Sequence, residues 1–203
     1  MLKLWSARLV LRDIESRDVE DFVRWYTIDT EWMNWDAPWE ASDDIDVEAV
    51  RQFYGKRVAA TTTGTRHRFQ METTQGEHIG WVTSYRMPDE HPAIGIDIPN
   101  PVFRNRGFGR LAYQMFLQYL LSEGHEKIYT QTWSGNLPMI RLAEKVGFIE
   151  VDRQVNQREV KGALYDGLTF LLEVPRFCRS LLPDKTWMMT DEVNPPEITM
   201  KPL

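Results

Sequence analysis

Between residues 93 and 122 the chain passes from a short apolar strand, through Pro99 and Pro101, into Arg104-Asn105-Arg106-Gly107-Phe108-Gly109 and then a long amphipathic helix. Glycine at 107 and 109 removes the Cβ atoms that would keep a ligand away from the backbone. The first N–H groups of a helix lack internal partners and sit at the positive end of its dipole. Arg104, Arg106 and Arg110 add positive charge at the same end. The segment predicts a site for a phosphate or pyrophosphate. A tight turn solvated by arginines is the plainer alternative.

Three phosphate-binding motifs compete for this segment. A Walker loop needs Lys and then Ser or Thr after the second glycine, and Arg110-Leu111 stands there instead. Gly107-Phe108-Gly109-Arg110-Leu111-Ala112 fits the dinucleotide pattern G-x-G-x-x-A, which also asks for an acid at the end of the next strand. That strand ends Thr132-Trp133-Ser134-Gly135, without one, so a nicotinamide-dependent oxidoreductase is weakened and still open. The third reading is the resemblance given below.

Periodicity and punctuation predict the remaining elements. A first strand spans about 4–12, and Ser16 is expected to cap a helix carrying Val19, Phe22, Val23 and Tyr26. Trp32, Trp35 and Trp39 lie among acids in 29–46, which reads mostly as loop, followed by a helix near 47–60 and a turn at 61–64. Strands around 69–73 and 79–83 meet at Gln75-Gly76, and a further strand covers 93–98. After the glycine-led helix come a strand at 128–132, a helix at 137–146 and strands near 148–155 and 164–172. Pro175 opens a short helix, and 183–203 reads as a tail. Mixed α/β with one sheet is the economical architecture.

Composition excludes several classes. With 42% hydrophobic and 27% charged residues, the chain matches ordinary globular proteins rather than disordered ones. Its 24 basic and 30 acidic side chains argue against affinity gained by coating nucleic-acid phosphates. No apolar run approaches the roughly 20 residues of a membrane span, and no secretory signal is evident at the start, so a cytoplasmic location is expected. Cys178 alone can build neither an internal disulfide nor a zinc site, and no metal site is predicted.

Arg104-x-x-Gly107-x-Gly109 resembles the Q/R-x-x-G-x-G/A hallmark of the GNAT superfamily of acyl-CoA-dependent N-acetyltransferases. Asn136-Leu-Pro-Met-Ile-Arg-Leu-Ala-Glu-Lys-Val-Gly147-Phe148 resembles that family's Asn-led helix ending in "EK-x-GF", and the element order is similar too. Arg8-Leu9-Val10-Leu11-Arg12 and Tyr165-Asp166 resemble the opening and closing strands of its ribosomal-protein N-acetyltransferase-like branch. The matches run from about 8 to 172. The resemblance implies a mostly antiparallel mixed sheet with a central splayed parallel pair, flanked by helices. It places one domain over 1–182 before the tail.

The resemblance also implies a function: transfer of an acetyl group from acetyl-CoA to a primary amine by direct attack in a ternary complex. The pyrophosphate would sit on backbone amides from Arg106 through Gly107, Phe108 and Gly109 to Arg110. The pantetheine arm would follow the strand of Ile96 and Ile98, where an amide could stabilise the developing oxyanion. Asn136 would touch the same arm, unless it is only a helix cap. Asp97 is a candidate base, with Glu90 and His91 behind it, though it could equally pair with an arginine. Many members carry a tyrosine or serine on the Asn-led helix as acid for the departing thiolate, whereas this chain has Ala143 and Met139. Tyr165, Ser134, Tyr85 or water could substitute, and a half-buried strand tyrosine is the plainer reading of Tyr165. The acceptor is a small-molecule amine or a protein amino terminus, and the Trp/acid stretch tilts the choice toward a small cation. That stretch could equally be a packed surface loop. A catalytically weak acyl-CoA-binding module is the alternative to an enzyme. Leu181, Leu182, Trp187 and Met188 could dock on a second copy, leaving a homodimer open.

Overall fold

The computed structural model describes residues 2–40, 44–60, 64–181 and 188–190. The elements in chain order are β1 (Lys3–Trp5), β2 (Leu9–Arg12), α1 (Asp18–Thr27), α2 (Val47–Ala59), β3 (Arg68–Thr73), β4 (His78–Arg86), β5 (Pro92–Asp97) and α3 (Phe108–Ser122). There follow β6 (Tyr129–Trp133), α4 (Leu137–Val146), β7 (Phe148–Val160), β8 (Ala163–Leu172), α5 (Val174–Ser180) and β9 (Met188–Thr190). The strands form one sheet in the order β7-β8-β6-β5-β4-β3-β2-β1-β9. Every pairing is antiparallel except β5 with β6. This is the expected mixed α/β sheet with one central parallel pair.

Alternation along the strands gives the sheet two different faces. Leu9, Leu11, Phe69, Met71, Val82 and Ile94 join Leu111, Phe116 and Leu120 of α3 in the main core, which extends to Ala143 and Val146 of α4. Trp81, on the opposite face of β4, packs with Phe22 and Trp25 of α1, Tyr54 of α2 and Trp32. The helices therefore flank the sheet on both sides, each covering the apolar stripe that its neighbour strands present.

Three local readings are corrected. The single strand expected over 4–12 is two strands, because Ser6 turns the chain: its amide donates to the Leu9 carbonyl at 2.9 Å and its hydroxyl oxygen accepts from the Leu9 amide at 3.0 Å. Ser16 does not cap α1, which starts at Asp18 without any side-chain cap. Residues Thr30–Asn34, expected as loop, form a 3-10 helix. Of the turn expected at 61–64, only Gly64 is described, with φ +76°, and the proposed docking residues Leu182 and Trp187 lie outside the described residues. Of the expected tail, 188–190 are described, and they pair antiparallel with β1. No helix among the described residues is long and apolar enough to cross a membrane.

Asp18 opens α1 for an electrostatic reason. Its carboxylate accepts two bonds from the fully buried Arg12 guanidinium, at 2.7 and 2.8 Å, and one from the Glu15 amide at 2.7 Å. Arg12 Nε also donates to Glu72 of β3 at 2.7 Å, so one guanidinium ties β2, β3 and α1 together. Burial opposes ionisation of Asp18, but the Arg12 bond, the His78 and Arg12 charges and the Glu15 amide outweigh it, and the carboxyl falls below its ordinary value. Its contribution to stability is thus complete above the ordinary carboxylate range and lost on acidification below it. Replacing Arg12 leaves a buried charge without its partner. Arg12→Ala is expected to lose about 3–5 kcal/mol in urea unfolding at pH 7. The deficit should narrow as the pH approaches 4, where the stranded carboxyl can protonate. A loss below ~1 kcal/mol, or one independent of pH, would contradict this role for the cluster.

Candidate active site

β5 pairs with β4 along its whole length, from Arg86↔Pro92 to Trp81↔Asp97. With β6 it shares only Ala93↔Tyr129 and Ile94↔Thr130. Past Ile94 the two strands part. The hydroxyls of Thr130 and Tyr113 both donate to the Ile94 carbonyl, at 2.8 and 3.1 Å, and so replace the next rung of the ladder. Backbone groups of successive strand residues point to alternate sides. The Asp97 carbonyl faces β4, lying where a Cβ on Gly80 would come within 2.0 Å of it. The Ile94 carbonyl faces β6, so the amide and carbonyl of Ile96 are turned into the gap.

A cleft of about 970 Å³ runs through this gap from one face of the sheet to the other. At one mouth stands the glycine turn. Asn105 and Gly107 have φ of +59° and +86°, and α3 begins immediately after Gly107. Among the described residues, the amides of Arg106, Gly107, Phe108, Gly109 and Arg110 donate to no protein group. Arg8 braces the turn from outside, donating to the Arg106 carbonyl at 3.1 Å with its guanidinium 4.9 Å from the Phe108 ring. Gly109 faces Ile96, Ile98 and Leu142 across the cleft, and a Cβ there would meet them at 3.7–3.8 Å.

The arginines of the turn behave differently from one another. Arg104 donates to the Ile98 carbonyl at 2.7 Å and to the Pro99 carbonyl at 2.5 Å, and it pairs with Glu31. Arg110 donates to the Ser180 carbonyl at the end of α5, at 2.5 Å. Arg106 is exposed and its side chain has no partner among the described residues. Two further cations, Arg141 and Lys145, lie one turn apart on α4 along the same cleft. Sequence reasoning missed them, although their spacing of four on a recognised helix was available as a signal.

The other mouth lies on the face that carries Trp81. Asp97, Tyr85, Asp36, Trp35 and Gln131 line it. Burial pushes the Asp97 carboxyl well above its ordinary value and the Asp36 charge adds to this, against the opposing effects of Arg68, the neighbouring Trp81 indole and Arg104. Asp36, exposed at the rim of this mouth, is raised as well, by the partial loss of water around its carboxyl and then by Glu40. The Tyr85 hydroxyl donates to Gln131 at 3.0 Å, and burial with the Asp36 charge holds its phenol at about 12.

The tryptophan stretch is both packed and cleft-lining. Trp32 is buried and donates to the Trp25 carbonyl at 2.9 Å, while Trp35 and Trp39 line the cleft beside it. The Trp35 carbonyl accepts from Trp133 Nε1 at 2.9 Å and from Asn136 Nδ2 at 2.7 Å. Asn136 also caps α4, its Oδ1 accepting from the Met139 amide at 3.1 Å. It is therefore a cap that also borders the cleft.

The structure does not bring every candidate to this place. Tyr165 packs edge-on against Trp133, 4.8 Å between centroids, and is not among the cleft-lining residues. Ser134 Oγ accepts from the Asp166 amide at 3.0 Å. Glu90 pairs with Arg86 at 2.6 Å in the turn before β5, and His91 stands beside it, at the opposite end of that strand from Asp97. Glu90 and His91 thus lie away from the gap, while Ser134 and Tyr165 border it through Trp133 without lining it, because strand order in the sheet, invisible in the linear pattern, decides which side chains share the gap.

The family model described as "Acetyltransferase (GNAT) domain" matches residues 8–149. A curated N-acetyltransferase of Bacillus subtilis, the SPbeta prophage-derived uncharacterized protein YokL, is 36% identical over 69 residues, which is 34% of this chain and 39% of that protein. A GNAT-family acetyltransferase of Bacillus anthracis has a similar fold, with a TM-score of 0.68 at 20% identity over 84% of this chain and 97% of that one. So does the spermidine N-acetyltransferase of Vibrio cholerae solved with CoA and spermine, with a TM-score of 0.66 at 21% identity over 84% and 98% of the two chains. With the family model covering well over half its length, this chain belongs to the GNAT acetyltransferases.

Proposed function

We propose that the protein is an N-acetyltransferase that moves the acetyl group of acetyl-CoA to a primary amine of a small molecule, by direct attack with both substrates bound. The observation that carries this reading is the pairing of the two mouths. Unpartnered amides at Arg106–Arg110 stand on one side of the sheet and a carboxyl raised well above its ordinary value stands on the other, joined by one cleft. The chain's residues fit a CoA-type carrier. Free amides at a helix start suit a pyrophosphate, Gly109 leaves the wall open, and Ile96 presents a free edge to an extended amide chain. Arg141 and Lys145 line the same cleft and supply positive charge, and the exposed Arg106 adds to it at the turn. Within the family, Arg8 to Arg12 and Tyr165-Asp166 support the ribosomal-protein N-acetyltransferase-like branch.

Acetyl-CoA, when bound, supplies an acyl group activated as a thioester. The protein's part is to position and to manage protons. An alkylamine with a pKa near ~10 is only about a thousandth neutral at pH 7, so its proton must be taken. Asp97 faces the mouth opposite the glycine turn, and its raised pKa makes its ionised form a stronger base than an ordinary carboxylate. The Ile96 amide, turned into the gap, is placed to donate to a carbonyl oxygen gaining negative charge. With Met139 and Ala143 on α4, Tyr85 is the tyrosine that lines the cleft, and its phenol, protonated at neutral pH, is the group that would donate to the leaving thiolate.

Titration with acetyl-CoA, followed by thiol release with a panel of amines, tests this reading directly. Saturable binding with amine-dependent thiol release is expected; binding without release for any amine favours a CoA-binding module that lacks chemistry. Gly107→Val should weaken CoA binding by at least about tenfold, since a branched residue at φ +86° distorts the turn that presents the amides. Unchanged CoA affinity in the folded variant would remove the turn from the site. Asp97→Asn should lower turnover roughly a hundredfold at pH 7, and the deficit should shrink at high pH, where the amine is already neutral. Because the Asp97 carboxyl is raised, wild-type activity should fall on acidification at a pH above the ordinary carboxylate range of about 4. An acid limb at or below that range, or wild-type turnover in Asp97→Asn, contradicts its role as base.

A further inference from the structure

The opposite wall of the Asp97 mouth is built by a bulge in β7. Gln154 pairs with Gly167 and Arg158 with Tyr165, so residues 155–157 stand opposite Asp166 alone. Asn156, at φ +55°, turns the chain there, and the Asp166 carboxylate holds the bulge by accepting from the Asn156 amide at 3.1 Å and from Arg153 at 2.7 Å. Gln157 drops across the sheet where Gly167 has no side chain, since a Cβ there would lie 1.8 Å from its Oε1. As a result Gln154, Gln157 and Arg158 all line the cleft. The register puts Arg158 on the face of Asp97: Gly167 pairs with Trp133, two residues beyond Gln131, and Gln131 holds Tyr85 on that face.

Arg158 has no hydrogen bond or ion pair among the described residues. Its guanidinium lies 4.5 Å from the Trp39 ring centroid, and the residue is half-buried. Arg104 and Arg110, which also line the cleft, both donate to main-chain carbonyls, and the unpaired Arg141 belongs to α4. The indole withdraws one flank of the Arg158 guanidinium from water and leaves its N–H donors unused. One face of one cleft thus holds two carboxyl groups, Asp36 and Asp97, and a guanidinium with no anionic partner among the described residues.

We propose that the acceptor amine also carries an oxyanion, a carboxylate or a phosphate, which Arg158 receives while the amine lies beside Asp97. This rests on the transferase reading above and narrows its substrate class. A diamine of similar length would set its second ammonium against Arg158, and a plain alkylamine would leave Arg158 unpaired.

The test compares thiol-release kinetics, at saturating acetyl-CoA, for ω-amino carboxylates from glycine to aminohexanoate, aminoalkyl phosphates, and the matching alkylamines and diamines. Wild type should favour the best oxyanion-bearing amine over its alkylamine counterpart by about 10- to 100-fold in kcat/KM, mostly through KM. The carboxylate and phosphate arms identify which oxyanion is read. Arg158→Gln should bring that ratio to parity, and Arg158→Lys should restore part of it, which a purely structural role would not do. A wild-type preference for diamines or alkylamines, or a ratio unchanged in Arg158→Gln, overturns the proposal while leaving the transferase reading intact. Quenching of tryptophan fluorescence by the same amines gives a readout independent of chemistry. Quenching that depends on Arg158 without thiol release supports the anion site and overturns the transferase reading; neither quenching nor release overturns both.

Discussion

Two rungs of parallel ladder, at Ala93 and Ile94, are all that join β5 to β6, and what the molecule can do follows from where they stop. A sheet edge left open in the middle of a fold exposes backbone groups that must find partners. Here Tyr113 and Thr130 satisfy the last carbonyl before the gap, and Arg104 reaches back to take the carbonyls of Ile98 and Pro99. Between them the Ile96 edge is left for a ligand. The same parting lets one cleft open onto both faces, which gives the proposed carrier and acceptor separate entrances.

The two entrances differ in their source of charge. At the glycine turn it comes from backbone amides and helix polarity, held rigid by Arg8 against Phe108 and Arg106. Main-chain donors cannot swing away or lose their protons, which suits the proposed phosphate site. The side chains of Arg104 and Arg110, which flank those amides, are spent on architecture, while that of Arg106 is exposed. At the opposite entrance the charge lies on side chains in confined surroundings. The Asp36 charge there raises the Asp97 carboxyl and the Glu40 charge raises Asp36, because like charges on one wall disfavour joint ionisation. The Trp35 carbonyl, held by Trp133 and Asn136, links the two entrances through the loop that borders them.

Much of the fold was legible in the sequence where a local rule and the tertiary environment agree. Gly107 at a positive φ, Gly147 closing α4, and the alternation of Phe69 and Met71 into the core are of this kind. Reading failed where a side chain acts over distance. Ser16 looked like a cap, yet Asp18 wins the helix start because Arg12 lies behind it, and nothing in the linear spacing shows that a guanidinium will be buried there. Site residues divide in the same way. The glycine turn, Ile96 and Asp97 were legible from their motif and strand. Glu90 and His91 carried suitable chemistry and stand at the far end of β5, and Tyr165 stands against Trp133 rather than in the cleft lining, because their places depend on strand order and register. Asp36 and Arg158 meet the cleft through a loop and a bulge, two features with little local signature.

The central claim is that the main-chain amides of the glycine turn, together with the free edge of β5, are where the carrier is held. Backbone amide chemical shifts followed by NMR during a CoA titration measure this most directly. The account predicts that the amides of 106–110 and of Ile96 move together and saturate with one affinity. Saturable CoA binding with those amides unmoved, and the perturbations gathered elsewhere, would contradict it.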